Sequence, residues 1–220
     1  AVQDGAIASL DDEVQQHLPQ LAGCAYDGVR IRHLLTMSSG VLWSEDYGDR
    51  HSDVNRYSKS LADKVPGGVL ALLRQLPRAQ APGTAWRYNT GDTYLLGALL
   101  SAATGEPLAT YLQRKVWQPF GMEFDAFYTL ESDGGQEIGG SRAGMALRDI
   151  GRFAQFVLED GVADGRRVLP PGWVDACARR AFDIPQDFGA AHRQALGLTG
   201  YGYSWWLRDD GTMLAMGHCG

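Results

Sequence analysis

The chain has 220 residues, of which 45% are hydrophobic, and this is enough to bury the core of one large domain or two small ones. Its formal charge of −6 at pH 7, with lysines and arginines scattered along the sequence, argues against a nucleic-acid-binding surface. No run of about 18 uncharged apolar residues occurs, so the sequence predicts no membrane span. These properties favour a globular protein that accepts a small neutral or cationic molecule.

The three cysteines are Cys24, Cys177 and Cys219, which form neither a C-x-x-C pair nor an even set. Their spacing predicts neither a disulfide framework nor a zinc site. We therefore expect buried thiols.

The first predicted helices are short. Residues 9–21 begin at Ser9, a candidate N-cap, and residues 29–40 end at Gly40. Residues 41–60 (VLWSEDYGDRHSDVNRYSKS) lose helical periodicity and are rich in Asp, Ser, Gly and aromatic residues. This composition is typical of a long loop, and loops of such length are usually functional or mobile.

Longer helices are predicted in the middle of the chain. Residues 67–77 form an apolar helix, and residues 90–105 are apolar nearly all round, which indicates a central buried helix that ends at Gly105. Pro107 suits the first turn of a further helix. Residues 145–161 predict an amphipathic helix with one apolar stripe. The stripe consists of Leu147, Ile150, Phe153, Ala154, Val157 and Leu158.

The hydrophobic period changes to two near the end of the chain. Residues 202–210 and 212–220 flank Asp209-Asp210-Gly211, and this pattern predicts an antiparallel hairpin. Trp205 and Trp206 alternate across the first strand, so we expect at least one of them in the core.

The usual signatures of a catalytic nucleophile are incomplete. Ser39 and Ser141 lack the glycine spacing of G-x-S-x-G. No S-x-x-K occurs, because none of Lys59, Lys64 and Lys115 follows a serine at that distance. The sequence also contains no H-E-x-x-H and no glycine-rich phosphate loop.

Several segments, taken in order, resemble the landmarks of the serine β-lactamase and penicillin-binding-protein superfamily. They are IRHLLTMSSGVLW (31–43), WRYNTGDTYLLGALLSAATGEPLATYLQRKVWQPFGM (86–122), GGSRAGMALRDIGRFAQFVLEDGVADGRRVLPPGWVDA (139–176), GYGYSWWL (200–207) and GHCG (217–220). The branch that they resemble contains class C-like esterases, D-aminopeptidases and 6-aminohexanoate-dimer hydrolases. The resemblance covers nearly the whole chain, and its specificity lies in the ordered set.

The resemblance places the family's Tyr-x-Asn motif on Tyr88, Asn89 and Thr90. It implies that Tyr88 is the catalytic base, held beside the lysine of S-x-x-K. A tyrosine has an ordinary pKa near ~10, and an adjacent ammonium group lowers it. Thr90 stands where the motif has Asn, and its hydroxyl serves the same hydrogen-bonding role in part. We take Asn89 and Thr90 as candidate substrate-binding residues; the alternative for Tyr88 is an aromatic that caps a buried helix.

The family's third motif, His-x-Gly on an edge strand, falls on His218 and Gly220. The glycine allows backbone and substrate to approach closely, which makes both residues candidates for substrate binding. A structural histidine is the alternative for His218. In the family, the residue after this glycine supplies an oxyanion donor, and the sequence ends at Gly220.

The loop that follows MSSG supplies further candidates. In 6-aminohexanoate-dimer hydrolases a tyrosine and acidic groups of this loop approach the substrate. The resemblance therefore implies substrate contacts by Trp43, Glu45, Asp46 and Tyr47. A solvated loop with one packed aromatic is the alternative.

The implied fold class is α+β, of the β-lactamase/transpeptidase-like type, in which an all-α region packs on an antiparallel sheet with flanking helices. We expect a single partial domain over residues 1–220, mostly helical over about 1–195, with the sheet beginning at 200–220. Because S-x-x-K is absent, the resemblance implies a fragment that is itself inactive.

The implied activity of the parent protein is that of a serine hydrolase, which cleaves a small-molecule amide or ester through an acyl-enzyme and needs no metal or organic cofactor. Two alternatives stay open: a β-lactamase or D-Ala carboxypeptidase, and a non-catalytic binding relative of the fold. The sequence indicates neither the compartment nor the oligomeric state.

Overall fold

The computed structural model describes residues 1–217, so the third-motif residues His218 and Gly220 lie outside the described residues. Helices dominate the first half of the chain. They are α1 (Val14–His17), a 3-10 helix (Pro19–Leu21), α2 (Ile31–Leu35), α3 (Asp53–Ala62), α4 (Gly68–Gln75), α5 (Thr90–Thr104) and α6 (Leu108–Leu112), which continues into a π-helix (Gln113–Trp117). Within the described residues, no helix combines the length and apolar character needed to cross a lipid bilayer.

Short strands alternate with helices in the second half. In chain order they are β1 (Phe127–Tyr128), β2 (Ala143–Gly144), α7 (Leu147–Leu158), β3 (Val162–Ala163), β4 (Arg166–Arg167), α8 (Trp173–Ala178), β5 (Phe182–Asp183), α9 (Ala190–Leu196), β6 (Gly200–Tyr201), β7 (Trp206–Leu207) and β8 (Met213–Leu214). β1 pairs with β2 and β3 with β4, whereas β5, β6, β7 and β8 form a four-stranded antiparallel sheet in that order. The pairing of β7 with β8 confirms the predicted hairpin.

Helix α5 lies at the centre of the helical core, as its apolar sequence predicts. It ends at Gly105, which adopts a left-handed conformation with φ of 69°. In mid-helix, a Cβ added at Gly97 would lie 2.8 Å from the Cα of Gly139. Another chain segment therefore packs directly on the backbone of α5.

The predicted loop over residues 41–60 is wrong for its second half, because α3 occupies Asp53–Ala62. Ser52 caps this helix by accepting the backbone N–H of Asn55. Val54, Tyr57 and Leu61 are spaced for one helical face, and all three are buried. The polar residues between them conceal this stripe when composition alone is considered.

Helix α7 has the predicted position, but its predicted stripe is buried only in part: Phe153 and Val157 are half-buried and pack with Phe156. The other members of the stripe are exposed. Leu147, Ile150 and Leu158 are 83%, 46% and 80% exposed, whereas Phe156 is buried. The physical reason is Asp149, whose fully buried carboxylate accepts the N–H groups of residues 123 and 124 at 2.8 and 2.9 Å. This anchor turns the helix so that a carboxylate faces inward.

An aromatic cluster lies between the segment before α5 and the sheet. It consists of Trp86, Tyr88, Phe188, Tyr201 and Trp206. Trp206 is buried, at 8% exposure. This confirms that at least one of Trp205 and Trp206 lies in the core. The cluster thus joins residues that are more than 100 positions apart in sequence, and it sets the position of the chain that leads into α5.

Candidate active site

Tyr88 lies in an extended segment that leads into the N-terminus of α5. The N–H of the preceding residue, Arg87, donates to the carbonyl of Met37 at 2.8 Å and ties the segment to the chain beyond α2. The Tyr88 ring stacks on Trp206 with centroids 5.1 Å apart, and its centroid lies 5.9 Å from that of Phe188. The tyrosine is therefore packed between the helical region and the sheet.

This environment changes the acidity of the phenol. Burial raises the pKa of Tyr88 to about 12, and the nearby carboxylate of Glu45 adds to the effect by disfavouring a second negative charge. The phenol is therefore protonated at neutral pH. An adjacent ammonium group would lower its pKa. Among the described residues that line the cleft beside Tyr88, none is a lysine or a histidine.

Asn89 is the N-cap of α5. Its Oδ1 accepts the N–H groups of Gly91 and Asp92 at 2.8 and 3.3 Å, and its Nδ2 donates to Oδ1 of Asp92 at 3.0 Å. The residue is 1% exposed. The structure therefore places the Asn89 side chain in the helix cap, turned into the protein.

Asp92, which the sequence analysis did not single out, is fully buried beneath this cap. The Tyr26 hydroxyl donates to its Oδ1 at 3.0 Å, whereas its Oδ2 has no hydrogen-bond partner among the described residues. Burial raises the pKa of Asp92 to about 7, and the nearby hydroxyls of Ser39 and Tyr26 oppose the rise. A signal was present in the sequence, because an acidic residue in the first turn interrupts an otherwise apolar helix.

Glu45 connects the predicted loop residues to α5. Its carboxylate accepts the indole N–H of Trp43 and, at 2.9 Å, the hydroxyl of Tyr47. It also accepts the backbone N–H of Thr90 at 3.2 Å and the Thr90 hydroxyl at 2.5 Å. The structure therefore brings together the loop candidates and the third position of the tyrosine motif.

These residues border an open cleft of about 890 Å³. Residues 42–46 and Asp53 form one wall, and Trp86, Arg87 and Tyr88 form the second. Pro185, Asp187, Phe188 and Gly189 form the third wall. Of the residues predicted from the sequence, Trp43, Glu45, Asp46 and Tyr88 line the cleft, and Tyr47 joins them through Glu45.

The third wall was not predicted, because residues 185–189 carry no motif and reach the cleft through tertiary packing. The cleft as a whole offers a phenol, carboxylates and aromatic rings, which suit a small molecule with polar and apolar parts. Among the side chains that the structure describes, no group of three His, Cys, Asp or Glu is arranged to bind a metal ion.

The chain has recognisable relatives. A family model described as Beta-lactamase matches residues 1–220. The 6-aminohexanoate-dimer hydrolase of Paenarthrobacter ureafaciens is 30% identical over an alignment of 174 positions, and the match covers 74% of this chain and 42% of that protein. Esterase EstB of Burkholderia gladioli is 33% identical over an alignment of 132 positions, and the match covers 57% of this chain and 33% of that protein. The chain thus spans less than half the length of these two relatives.

Solved structures show the same fold. The crystal structure of a penicillin-binding protein from Bacillus halodurans superposes with a TM-score of 0.68 at 19% identity, and the match covers 96% of this chain and 66% of that one. Similarity at this level of identity concerns the fold alone. It confirms the predicted α+β class of the β-lactamase/transpeptidase-like type.

Proposed function

Because the chain belongs to the beta-lactamase family, we propose that it contributes the tyrosine side of the active site of a serine hydrolase, which cleaves an amide or ester through an acyl-enzyme. One observation carries the proposal. Tyr88, the residue that matches the family's motif, lies at the N-terminus of α5 and borders the 890 Å³ cleft. The polar and aromatic walls of that cleft suit a small substrate.

In the proposed reaction, Tyr88 takes the proton from a serine hydroxyl as the serine oxygen bonds to the substrate carbonyl carbon. It returns this proton to the leaving amine or alcohol when the acyl-enzyme forms. A phenol with a pKa of about 12 needs a neighbouring ammonium group for this task. The resemblance assigns that ammonium group, and the serine itself, to an S-x-x-K motif, which these 220 residues do not contain.

The names of the relatives favour amide and ester substrates, since one is a 6-aminohexanoate-dimer hydrolase and another an esterase. We propose that the parent resembles this branch, with Trp43, Asp46 and Tyr47 on the substrate side of the cleft. A β-lactamase or D-Ala carboxypeptidase would use the same chemistry and is the closest alternative. We propose the same substrate-binding role for His218 and Gly220, on the resemblance alone.

The hydrogen bond made by the Thr90 side chain favours a function of another class, that of a binding protein. Its hydroxyl donates to Glu45, so it is engaged within the protein instead of facing the cleft as the motif's Asn would. A binding protein that retains the fold without the chemistry would tolerate this change. We keep this as the second candidate function.

The first experiment determines the coding sequence that flanks this chain and expresses the complete protein. An S-x-x-K motif followed by hydrolysis of p-nitrophenyl esters or amino-acid amides, lost in Tyr88→Phe, would support the hydrolase. A complete protein that has neither the motif nor the activity, yet binds such compounds, would support the binding relative.

The 220-residue chain alone provides a second test. It contains no S-x-x-K, so we predict that it does not turn over substrate by this mechanism. Rapid hydrolysis by the purified chain that disappears in Tyr88→Phe would contradict this prediction.

A further inference from the structure

Glu45 faces the cleft, but its carboxylate is already occupied. An ionised carboxylate has two oxygens with about four acceptor positions. Oε2 accepts the Trp43 indole N–H and the Thr90 backbone N–H, and Oε1 accepts the hydroxyls of Tyr47 and Thr90. Four donors from the protein therefore fill the group, and none of its acceptor capacity is left for a substrate.

The donors come from two separate parts of the chain. Trp43 and Tyr47 flank Glu45 within its own loop, whereas Thr90 is 45 positions away and opens α5. Trp43 is buried at 2% exposure, so the loop is held at its buried end as well. Through one side chain, the loop wall of the cleft is joined to the helix that presents Tyr88.

The electrostatics favour this arrangement. The N-terminus of a helix carries partial positive charge on its free N–H groups, and α5 is 15 residues long. The Glu45 carboxylate accepts the N–H of Thr90, the first residue of that helix. The charge is thus stabilised by the protein and does not require a cationic substrate.

We infer that Glu45 is a positioning residue, which clamps residues 43–47 onto the first turn of α5 and is not itself a substrate ligand. Asp46, its exposed neighbour in the same wall, is then left as the loop carboxylate that faces the substrate. The clamp itself is a property of the folded chain. Only its predicted effect on kcat and KM rests on the proposed function.

Hydrogen exchange tests the clamp without any assay of activity. The exchange rate of the Trp43 indole proton would be measured by NMR in the complete protein, with the signal assigned through Trp43→Phe. We expect Glu45→Ala to raise this rate about tenfold or more, because it removes a charged acceptor. Thr90→Val, which keeps the backbone N–H but loses the hydroxyl, should give a smaller increase.

Glu45→Gln separates position from charge. A glutamine oxygen can accept both N–H groups, and its amide can donate to the two hydroxyls, so the exchange rate of Trp43 should stay close to that of the wild type. Glu159→Gln, on the exposed end of α7 and away from the cleft lining, controls for charge loss in general. If Glu45→Ala fails to fold, Thr90→Val carries the exchange test.

Steady-state kinetics provide the second measurement. A positioning role predicts that Glu45→Ala lowers kcat and that Glu45→Gln restores it to within about threefold. A substrate ligand predicts instead that both variants raise KM alone while the Trp43 indole proton stays protected, and that result would overturn the inference. If the wild type shows no hydrolysis, the proposed function fails, and the exchange data still decide whether the clamp exists.

Discussion

Tyr88, at the N-terminus of α5, has an apolar side formed by aromatic rings and a polar side formed by carboxylates. On the apolar side, the rings of Trp86, Phe188, Tyr201 and Trp206 pack against Tyr88. The Trp206 ring is stacked on it with centroids 5.1 Å apart. On the polar side, Glu45 accepts hydrogen bonds from the helix, and Asp92 lies beneath the Asn89 cap. Packing removes water on the first side, whereas the second side adds a negative charge.

Both sides shift the acidity of Tyr88 in the same direction. Burial raises its pKa, and the Glu45 carboxylate raises it further. The site described here therefore holds a protonated phenol in a defined position. Proton transfer by Tyr88 then depends on a cation brought close to its hydroxyl, which is the physical reason why the proposed chemistry needs a lysine.

We expect the largest effect from removing the hydroxyl of Tyr88, which lies between the two sides. In an active complete protein, Tyr88→Phe should lower kcat/KM by about 10²–10⁴, because it removes the proton acceptor but keeps the ring that stacks on Trp206. Steady-state kinetics and thermal unfolding would be measured together. Tyr111→Phe, which removes a hydroxyl bonded to Asp4 outside the cleft lining, is the control. Equal losses in the two variants would contradict the role of Tyr88.

The apolar side is tested by removing its central ring. Trp206→Ala should reduce the free energy of unfolding by about 3–5 kcal/mol, because Trp206 is buried and contacts Trp86, Tyr88 and Tyr201. Urea unfolding measures the change. Trp205→Ala, at the less buried neighbouring position, should cost clearly less. Equal destabilisation of the two variants would show that packing in the aromatic cluster does not stabilise the apolar side of Tyr88.

The polar side is tested by the pH dependence of stability. Asp92 has a folded-state pKa of about 7, above the ordinary value of about 3.9, so the folded state binds more protons over this range. The free energy of unfolding therefore falls as pH rises from about 4 to about 7, by about 2–4 kcal/mol.

Asp92→Asn should abolish this fall, because the amide is neutral and still accepts from Tyr26 and Asn89. Urea unfolding between pH 4.5 and 8.5 measures it, with the exposed Asp175→Asn as the control. A difference between Asp92→Asn and the wild type that does not change with pH would show that Asp92 is ionised throughout.

We expect the smallest effect from the charge of Glu45, the polar-side carboxylate that acts on Tyr88. Glu45→Gln should lower the pKa of Tyr88 by less than about one unit, because a carboxylate no longer opposes the phenolate. Where activity rises with pH as Tyr88 ionises, that rise should move to lower pH. The other charged residues of the cleft, in the part of the chain that the structure describes, stay in place; they are Asp46, Asp53, Arg87 and Asp187. A pH–rate profile that does not move, as expected for Glu159→Gln, would remove Glu45 from the control of Tyr88.

Much of the candidate site could be proposed from the sequence because its signals are local. The apolar run of α5, its terminal Gly105 and the Tyr88 motif lie within one continuous segment, and the loop candidates lie within another. The burial of α3 residues was also encoded locally, in the spacing of Val54, Tyr57 and Leu61, but the polar composition of the segment around them is that of a loop. In each case, neighbours along the chain carry the information.

Tertiary structure decided which faces and groups are buried. Asp149 turned α7 so that Leu147 became exposed, and Asp92 was placed under a helix cap where its pKa rises. The sequence by itself determined most of the helices and the hairpin, because periodicity and capping act over a few residues, and it made Tyr88 a candidate. The contact of Glu45 with Thr90 and the aromatic cluster from Trp86 to Trp206 depend on packing between distant segments, which no local pattern specifies.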